Sequence, residues 1–203
     1  MVSPEYAIAK NADMNHRRHT CPVWVGYVLA NPLRALFQNP QRILGPHITP
    51  GMQVLDLGSA MGFFSLPLAR LVGPGGRVVC VDLQQKMLDS LLRRARRANL
   101  RDRIEARLSR TDSLCIIDLR DQIHFALLFA VIHEIVDPAR VFSEVHDVLR
   151  PKGRILIAEP RMHVQDVAFR GSLSMAERSG FRRVESVQIP WTRAMLLEKH
   201  GEP

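Results

Sequence analysis

The sequence predicts an α/β fold: a mostly parallel sheet of seven strands with helices on both faces and an antiparallel last strand. Two observations carry this reading. From Gln53 onward, short apolar runs bounded by turn residues alternate with stretches of helical period, and parallel strands need such crossover helices. The chain then closes with two runs, residues 182–187 and 192–198, that face each other across Ile189-Pro190-Trp191, which is a hairpin signal rather than another crossover. A chain of 203 residues, 46% hydrophobic and 24% charged, buries roughly 70% of its unfolded surface and needs no disulfide or structural metal to hold a core.

Residues 1–22 are polar and lack a clear period, while residues 23–37 mix apolar side chains with Trp24, Tyr27 and an Asn31-Pro32 break. Residues 1–45 are accordingly read as a helical N-terminal extension and 46–203 as the main domain. Pro40, Gly45, Pro46 and the Pro50-Gly51 turn punctuate the approach to the first strand, Gln53–Leu57, which is apolar enough for burial on both faces. A helix over 63–72, the Gly73 to Gly76 turn, a strand over 77–81 and a helix over 84–98 closed by Asn99 follow. Further strands are read at Ile104–Leu108, 124–129 and 154–158. The helix before the last of these opens with Asp137 as N-cap and Pro138 at its first position. A helix over 164–179 stops at Gly180.

No apolar run approaches the ~18 residues of a membrane span. The N-terminus lacks the basic start, apolar stretch and cleavage site of an export signal, so a cytoplasmic protein is expected. Cys21, Cys80 and Cys115 are odd in number and form no CxxC, which fits free thiols. A formal charge of +8 favours an anionic partner without choosing among nucleic acid, lipid and small molecule.

The segment Val54-Leu55-Asp56-Leu57-Gly58-Ser59-Ala60-Met61-Gly62 sets small residues between a buried strand and a helix, where the backbone turns sharply and a ligand can approach. Counted from Gly58, a G-x-G-x-x-G fingerprint would need glycine where Ala60 and Phe63 stand, so a dinucleotide site is disfavoured. No Lys-Ser or Lys-Thr pair makes the loop a phosphate cradle. Asp82 lies at the end of the second strand, where a carboxylate can accept bonds from both hydroxyls of a ribose. A strand-end Asp that merely caps the next helix is the bland alternative, and it is the joint placement of loop and acid that favours a nucleoside.

These residues carry a resemblance. The run VLDLGSAMGFFSLPLARLVGPGGRVVCVDLQQKMLDSLLRRA resembles the first two motifs of class I S-adenosylmethionine-dependent methyltransferases, and FALLFAVIHEIVDPARVFSEVHDVLRPKGRILIAEP resembles their fourth and fifth strands. The resemblance covers residues 51–198 and implies a Rossmann-like fold with S-adenosylmethionine as cofactor. It implies that Asp56, Gly58 and Gly62, with Ser59 and Ala60 between them, line the methionine part of the cofactor. Asp82 would bind the ribose hydroxyls, Leu83 would pack on the adenine, and Thr111 and Asp112 would contact the adenine edge. The family's middle glycine is Ala60 here, whose methyl fits if the backbone stays in a region open to L-residues. The acidic start of strand four is His124, and the usual Gly-Asp after strand three is absent.

Methyl transfer from a sulfonium is an in-line displacement that asks mainly for alignment, exclusion of water and, for some acceptors, removal of a proton. His133 and Glu134, after strand four, and Glu159, after strand five, are the candidate catalytic residues. For each, a purely structural role is the competing reading. The N-terminal segment is read as a lid or dimer contact, so a homodimer stays open. His16, His19 and Cys21 have zinc-donor chemistry but match no ligand spacing, and no metal is expected. A small-molecule acceptor is preferred. Three alternatives stay open: an RNA methyltransferase using Arg93, Arg94, Arg96, Arg97, Arg101 and Arg103; a cofactor-binding protein without catalysis; and, from the cysteines alone, thiol or metalloid methylation.

Overall fold

A computed structural model of the chain describes residues 38–201, which build a seven-stranded sheet in the order β3-β2-β1-β4-β5-β7-β6. The strands are β1 (Gln53–Leu57), β2 (Arg77–Asp82), β3 (Ile104–Leu108), β4 (Ile123–Phe129), β5 (Leu149–Pro160), β6 (Phe181–Ser186) and β7 (Thr192–Lys199). Helices α1 (Pro40–Leu44), α2 (Ser65–Leu71), α3 (Gln85–Arg97), α4 (Pro138–Val148) and α5 (Asp166–Arg178) connect and cover them. Strands β1 to β5 pair in parallel. The last strand, β7, inserts between β5 and β6 and runs antiparallel to both, as the hairpin signal predicts.

The central strands are buried on both faces, and their alternating side chains feed two separate cores. Val54, Val78, Cys80, Phe125 and Leu127 face α1, α2 and α3, where Leu44, Leu68, Leu88 and Leu91 meet them. Leu55, Val79, Val81, Ala126 and Leu128 face α4 and α5, against Phe142, Val145, Phe169 and Leu173. Helices therefore cover both faces, and Cys80 is a core residue while Cys115 is exposed. Among the described residues no helix is long and apolar enough to cross a membrane.

Local chemistry explains where the elements begin. Asp137 caps α4 by accepting the Arg140 N–H at 3.1 Å, with Pro138 at the first position. Asn99, with φ of +55°, ends α3 in the left-handed region. Helix α1 departs from the expected run of breakers. Asn39 accepts the N–H groups of Gln41 and Arg42 at 3.0 and 3.3 Å, Pro40 starts the helix, and Ile43 and Leu44 enter the core. Asn-Pro here is a helix start rather than a stop. Helix α5 begins at Asp166, two residues later than expected, because His163 and Val164 bond back to the Pro160 carbonyl at 3.1 and 2.9 Å. Strand β5 begins five residues earlier than its apolar run, since Leu149 already pairs with Ile123 before a register shift.

Candidate functional site

From β1 the chain winds outward to β2 and β3, then crosses back to β4, so the sheet reverses its winding direction between β1 and β4. Loops leaving the carboxyl ends of two such strands diverge and open a crevice. A cavity of about 210 Å³ lies there, with Gly58, Ser59, Ala60, Asp82, Leu83, Thr111, Ala130 and Glu134 in its wall. Gly58 has φ of +72°, and a Cβ on it would come 2.7 Å from Cγ2 of Val131, beyond β4. Gly62 has φ of +86°, and a Cβ there would run into Cδ1 of Leu91 on α3. Both positions need glycine for conformation and for space.

Ala60 does not stay in the region most open to L-residues. Its φ is +45°, and the Asp82 carboxylate holds it there by accepting its N–H at 2.8 Å. An alanine in the left-handed region costs roughly 1–2 kcal/mol. Ala60→Gly is therefore expected to raise stability by about 0.5–1 kcal/mol, the gain being reduced by the extra freedom of glycine in the unfolded chain. Denaturant unfolding checks this, and an unchanged or lower midpoint contradicts it.

Asp82 also accepts the Gln84 N–H at 2.9 Å, so the carboxylate braces the turn into α3 and the glycine loop at once. Burial raises its pKa, and the hydrogen bonds from the Gln84, Ala60 and Leu83 backbone pull the other way. Asp56 is buried under the same loop and accepts the Ser65 hydroxyl at 2.5 Å. Burial pushes its pKa up to about 7, the Ser65 bond opposes this, and the neighbouring Asp82 adds to it. Among the described residues the buried Ser59 hydroxyl in the loop has no hydrogen-bond partner. Arg94 donates to the Met61 carbonyl at 2.6 Å and so ties α3 to the loop.

On the far side the segment after β3 is latched to α4. Arg140 Nη2 donates to the Thr111 carbonyl at 2.9 Å, and Glu144 accepts the Leu114 N–H at 2.7 Å. Arg140 and Glu144 are legible as an i,i+4 helical pair, but their long-range partners leave no mark in the sequence. Thr111 lines the cavity. Asp112 does not. It is exposed and turns to Arg110, accepting from Nε at 2.9 Å and Nη2 at 2.7 Å. The adjacent guanidinium satisfies it locally, outside the cavity wall.

The three catalytic candidates separate. Glu134 lines the cavity, whereas His133 and Glu159 stand beside it and outside its wall. Glu159 is 1% exposed. It accepts the Ile132 N–H at 2.8 Å and meets His133 Nδ1 at 2.6 Å. Its hydrogen bond raises the His133 pKa, partial burial opposes this, and the charges of Glu159 and Glu134 reinforce it. His124, at the start of β4, receives the Gln53 N–H on Nδ1 at 3.2 Å and so ties two strands together. His16, His19 and Cys21 lie outside the described residues. Of the arginine cluster, Arg94, Arg101 and Arg103 each donate to a backbone carbonyl, while Arg93, Arg96 and Arg97 are exposed.

A strand-end carboxylate, an orphaned buried hydroxyl and a loop held open at left-handed φ suit a nucleoside bearing an amino-acid tail. A family model described as "Methyltransferase domain" matches residues 48–195. The chain is 34% identical over 112 residues to "Arsenite methyltransferase" of Halobacterium salinarum, covering 55% of this chain and 28% of that protein. It is 30% identical over 112 residues to "Demethylmenaquinone methyltransferase" of Lactobacillus johnsonii, covering 55% of this chain and 45% of that one. It thus spans less than half the length of these relatives. A solved SAM-dependent methyltransferase from Aquifex aeolicus superposes with a TM-score of 0.80, over 89% of this chain and all of that one, at 19% identity, a likeness of fold. With nearly three-quarters of its length matched by the family model, and with the topology and crevice described above, the chain belongs to the methyltransferase domain family.

Proposed function

We propose that this protein transfers a methyl group from S-adenosylmethionine to a small molecule. The observation that carries the reading is the cavity at the β1–β4 switch point, with Asp82 and the loop from Gly58 to Met61 in its wall. When bound, the cofactor's sulfonium supplies an electrophilic methyl group. Asp82 holds the two ribose hydroxyls through charge-assisted bonds, and Leu83 and Thr111 contact the adenine. Asp56, Gly58, Ser59, Ala60 and Gly62 surround the amino-acid tail, to which the Ser59 hydroxyl offers an unused hydrogen bond. The left-handed turn at Gly58 lets the backbone approach the ligand without a side chain between them.

The names of the two relatives, which specify arsenite and demethylmenaquinone, support a small acceptor. So does the use of half the basic cluster in bracing carbonyls.

Calorimetric titration with S-adenosylhomocysteine tests the site. Wild type should bind, and Asp82→Ala should lose at least ~1.5 kcal/mol, or more than tenfold in affinity, through the lost ribose bonds. Asp82→Asn, which keeps one acceptor oxygen to brace the loop, should fall between them. Equal affinities in all three reject this placement of the nucleoside.

A further inference from the structure

Beside the cofactor cavity stands a second cluster that cofactor binding does not use. Glu159 is the penultimate residue of β5 and is almost fully buried, so its charge must be met by partners. Oε1 accepts the N–H groups of Ile132 and His133 at 2.8 and 3.4 Å, which fixes the short turn after β4. Oε2 lies 2.6 Å from His133 Nδ1. A carboxylate can only accept, so Nδ1 carries a proton, and in the neutral ring the lone pair falls on Nε2. Among the described residues Nε2 has no protein hydrogen bond. The His133 side chain keeps about a quarter of its surface exposed. His163 faces it from the loop after β5, with ring centroids 6.2 Å apart.

The surroundings of this pair are apolar. Seven large hydrophobic side chains are exposed among the described residues, and four of them, Val136, Met162, Val167 and Trp191, stand at this edge of the sheet. The Arg161 N–H donates to the Trp191 carbonyl at 2.9 Å, drawing the β6–β7 turn against the loop that carries Met162 and His163. Val136 belongs to the cavity wall, Met162 adjoins the His163 that faces His133, and Trp191 is joined to the same loop through Arg161. Exposed apolar surface gathered at one edge marks a binding face.

We propose that His133 is the proton acceptor for the methyl acceptor, that Glu159 is its positioning residue, and that the acceptor is an apolar small molecule bearing a hydroxyl group. This rests on the methyl-transfer reading above. A hydroxyl is an acceptor that needs a base, because its neutral oxygen is a poor nucleophile and methylation without proton loss would give a strongly acidic oxonium, whereas a neutral amine, a thioether or arsenite can be methylated before any proton leaves. In the step, the hydroxyl proton passes to Nε2 of His133. The oxygen's electron pair forms the new bond to the methyl carbon, and the pair of the broken carbon–sulfur bond leaves with sulfur. The imidazolium so formed is stabilised by Glu159 at 2.6 Å.

The groups facing the imidazole are Glu159 from β5, Glu134 on its own turn and His163 from the loop after β5. The two carboxylates keep the ring protonated to higher pH than a free histidine, chiefly through the Glu159 hydrogen bond. The base form therefore grows in as pH rises through a value above 6.5. In NMR titration His133 should titrate above 6.5 in wild type and at lower pH in Glu159→Gln, whose neutral amide keeps the side-chain shape. Methyl transfer from S-adenosylmethionine to a set of hydrophobic phenols should show its rising limb at the same pH. That limb should shift with the variant. His133→Gln should lower kcat by about 10²- to 10⁴-fold and remove the limb, while S-adenosylhomocysteine binds as in wild type.

Dimethyl sulfide and trivalent arsenite form the control arm. No transfer to any phenol, transfer confined to the control arm, or a His133 titration that ignores Glu159→Gln overturns the proposal. Failure of wild type to bind S-adenosylhomocysteine overturns instead the cofactor reading on which it stands.

Discussion

Gly62→Ala should destabilise the protein by roughly 2–4 kcal/mol, because it combines an L-residue in a left-handed conformation with overpacking of a filled core. At φ of +86° the added methyl meets Cδ1 of Leu91, a fully buried residue on α3. Leu66, also buried, stands on the other side of the added methyl, its Cγ at 3.6 Å. Gly51→Ala separates the two causes, since Gly51 has nearly the same φ, +88°, but nothing within 4 Å of the added atom. That control should lose only the conformational part, about 1–2 kcal/mol. Denaturant midpoints measured side by side decide the matter, and equal losses at both positions would show that packing at Leu91 contributes nothing. Affinity for S-adenosylhomocysteine should fall in Gly62→Ala and stay unchanged in Gly51→Ala, which lies away from the crevice.

Glu159→Ala should cost about 2–4 kcal/mol, an estimate between the loss of a surface pair and the breaking of a fully buried one. The substitution leaves the Ile132 N–H without its acceptor at a buried position and removes the partner of the His133 ring. The pH dependence has a definite sign. The folded-state pKa of His133 is raised above 6.5, so the stabilisation from the charged pair is complete below 6.5 and is lost as pH rises through that higher value. The stability gap between wild type and Glu159→Gln should therefore narrow on going alkaline, whereas the bond to the Ile132 N–H is insensitive to that titration. A gap that widens with pH would contradict the pairing. Guanidinium unfolding in a series of buffers from mildly acid to alkaline reads it directly, because high salt screens exposed pairs more than this buried carboxylate.

Much of the fold is legible locally because strand and helix differ in the period of their apolar residues. The bounds of β3 match their apolar run, and the cap at Asp137 and the left-handed stop at Asn99 are written in one or two residues each. Where the reading slips, nonlocal pairing or alternative turn chemistry intervenes. Leu149 joins β5 because Ile123 is opposite it, and Asn39-Pro40 opens a helix because a capping oxygen is available there. Within the site, Gly58, Gly62 and Asp82 are recognisable from their spacing around a strand. Asp112 is taken by the neighbouring Arg110, and no spacing rule foresees that Arg140 reaches the Thr111 carbonyl.

The amino-acid order alone settled the alternation of strand and helix, the turn that must be glycine and the acid at the end of β2, since each depends on neighbours within a few residues. Only the folded chain decided that Glu159, 26 positions from His133, would grip its ring, that Ala60 would be drawn into left-handed space by Asp82, and that exposed apolar side chains would gather at one edge. Those outcomes depend on which strands lie side by side, and strand order is set by packing over the whole sheet.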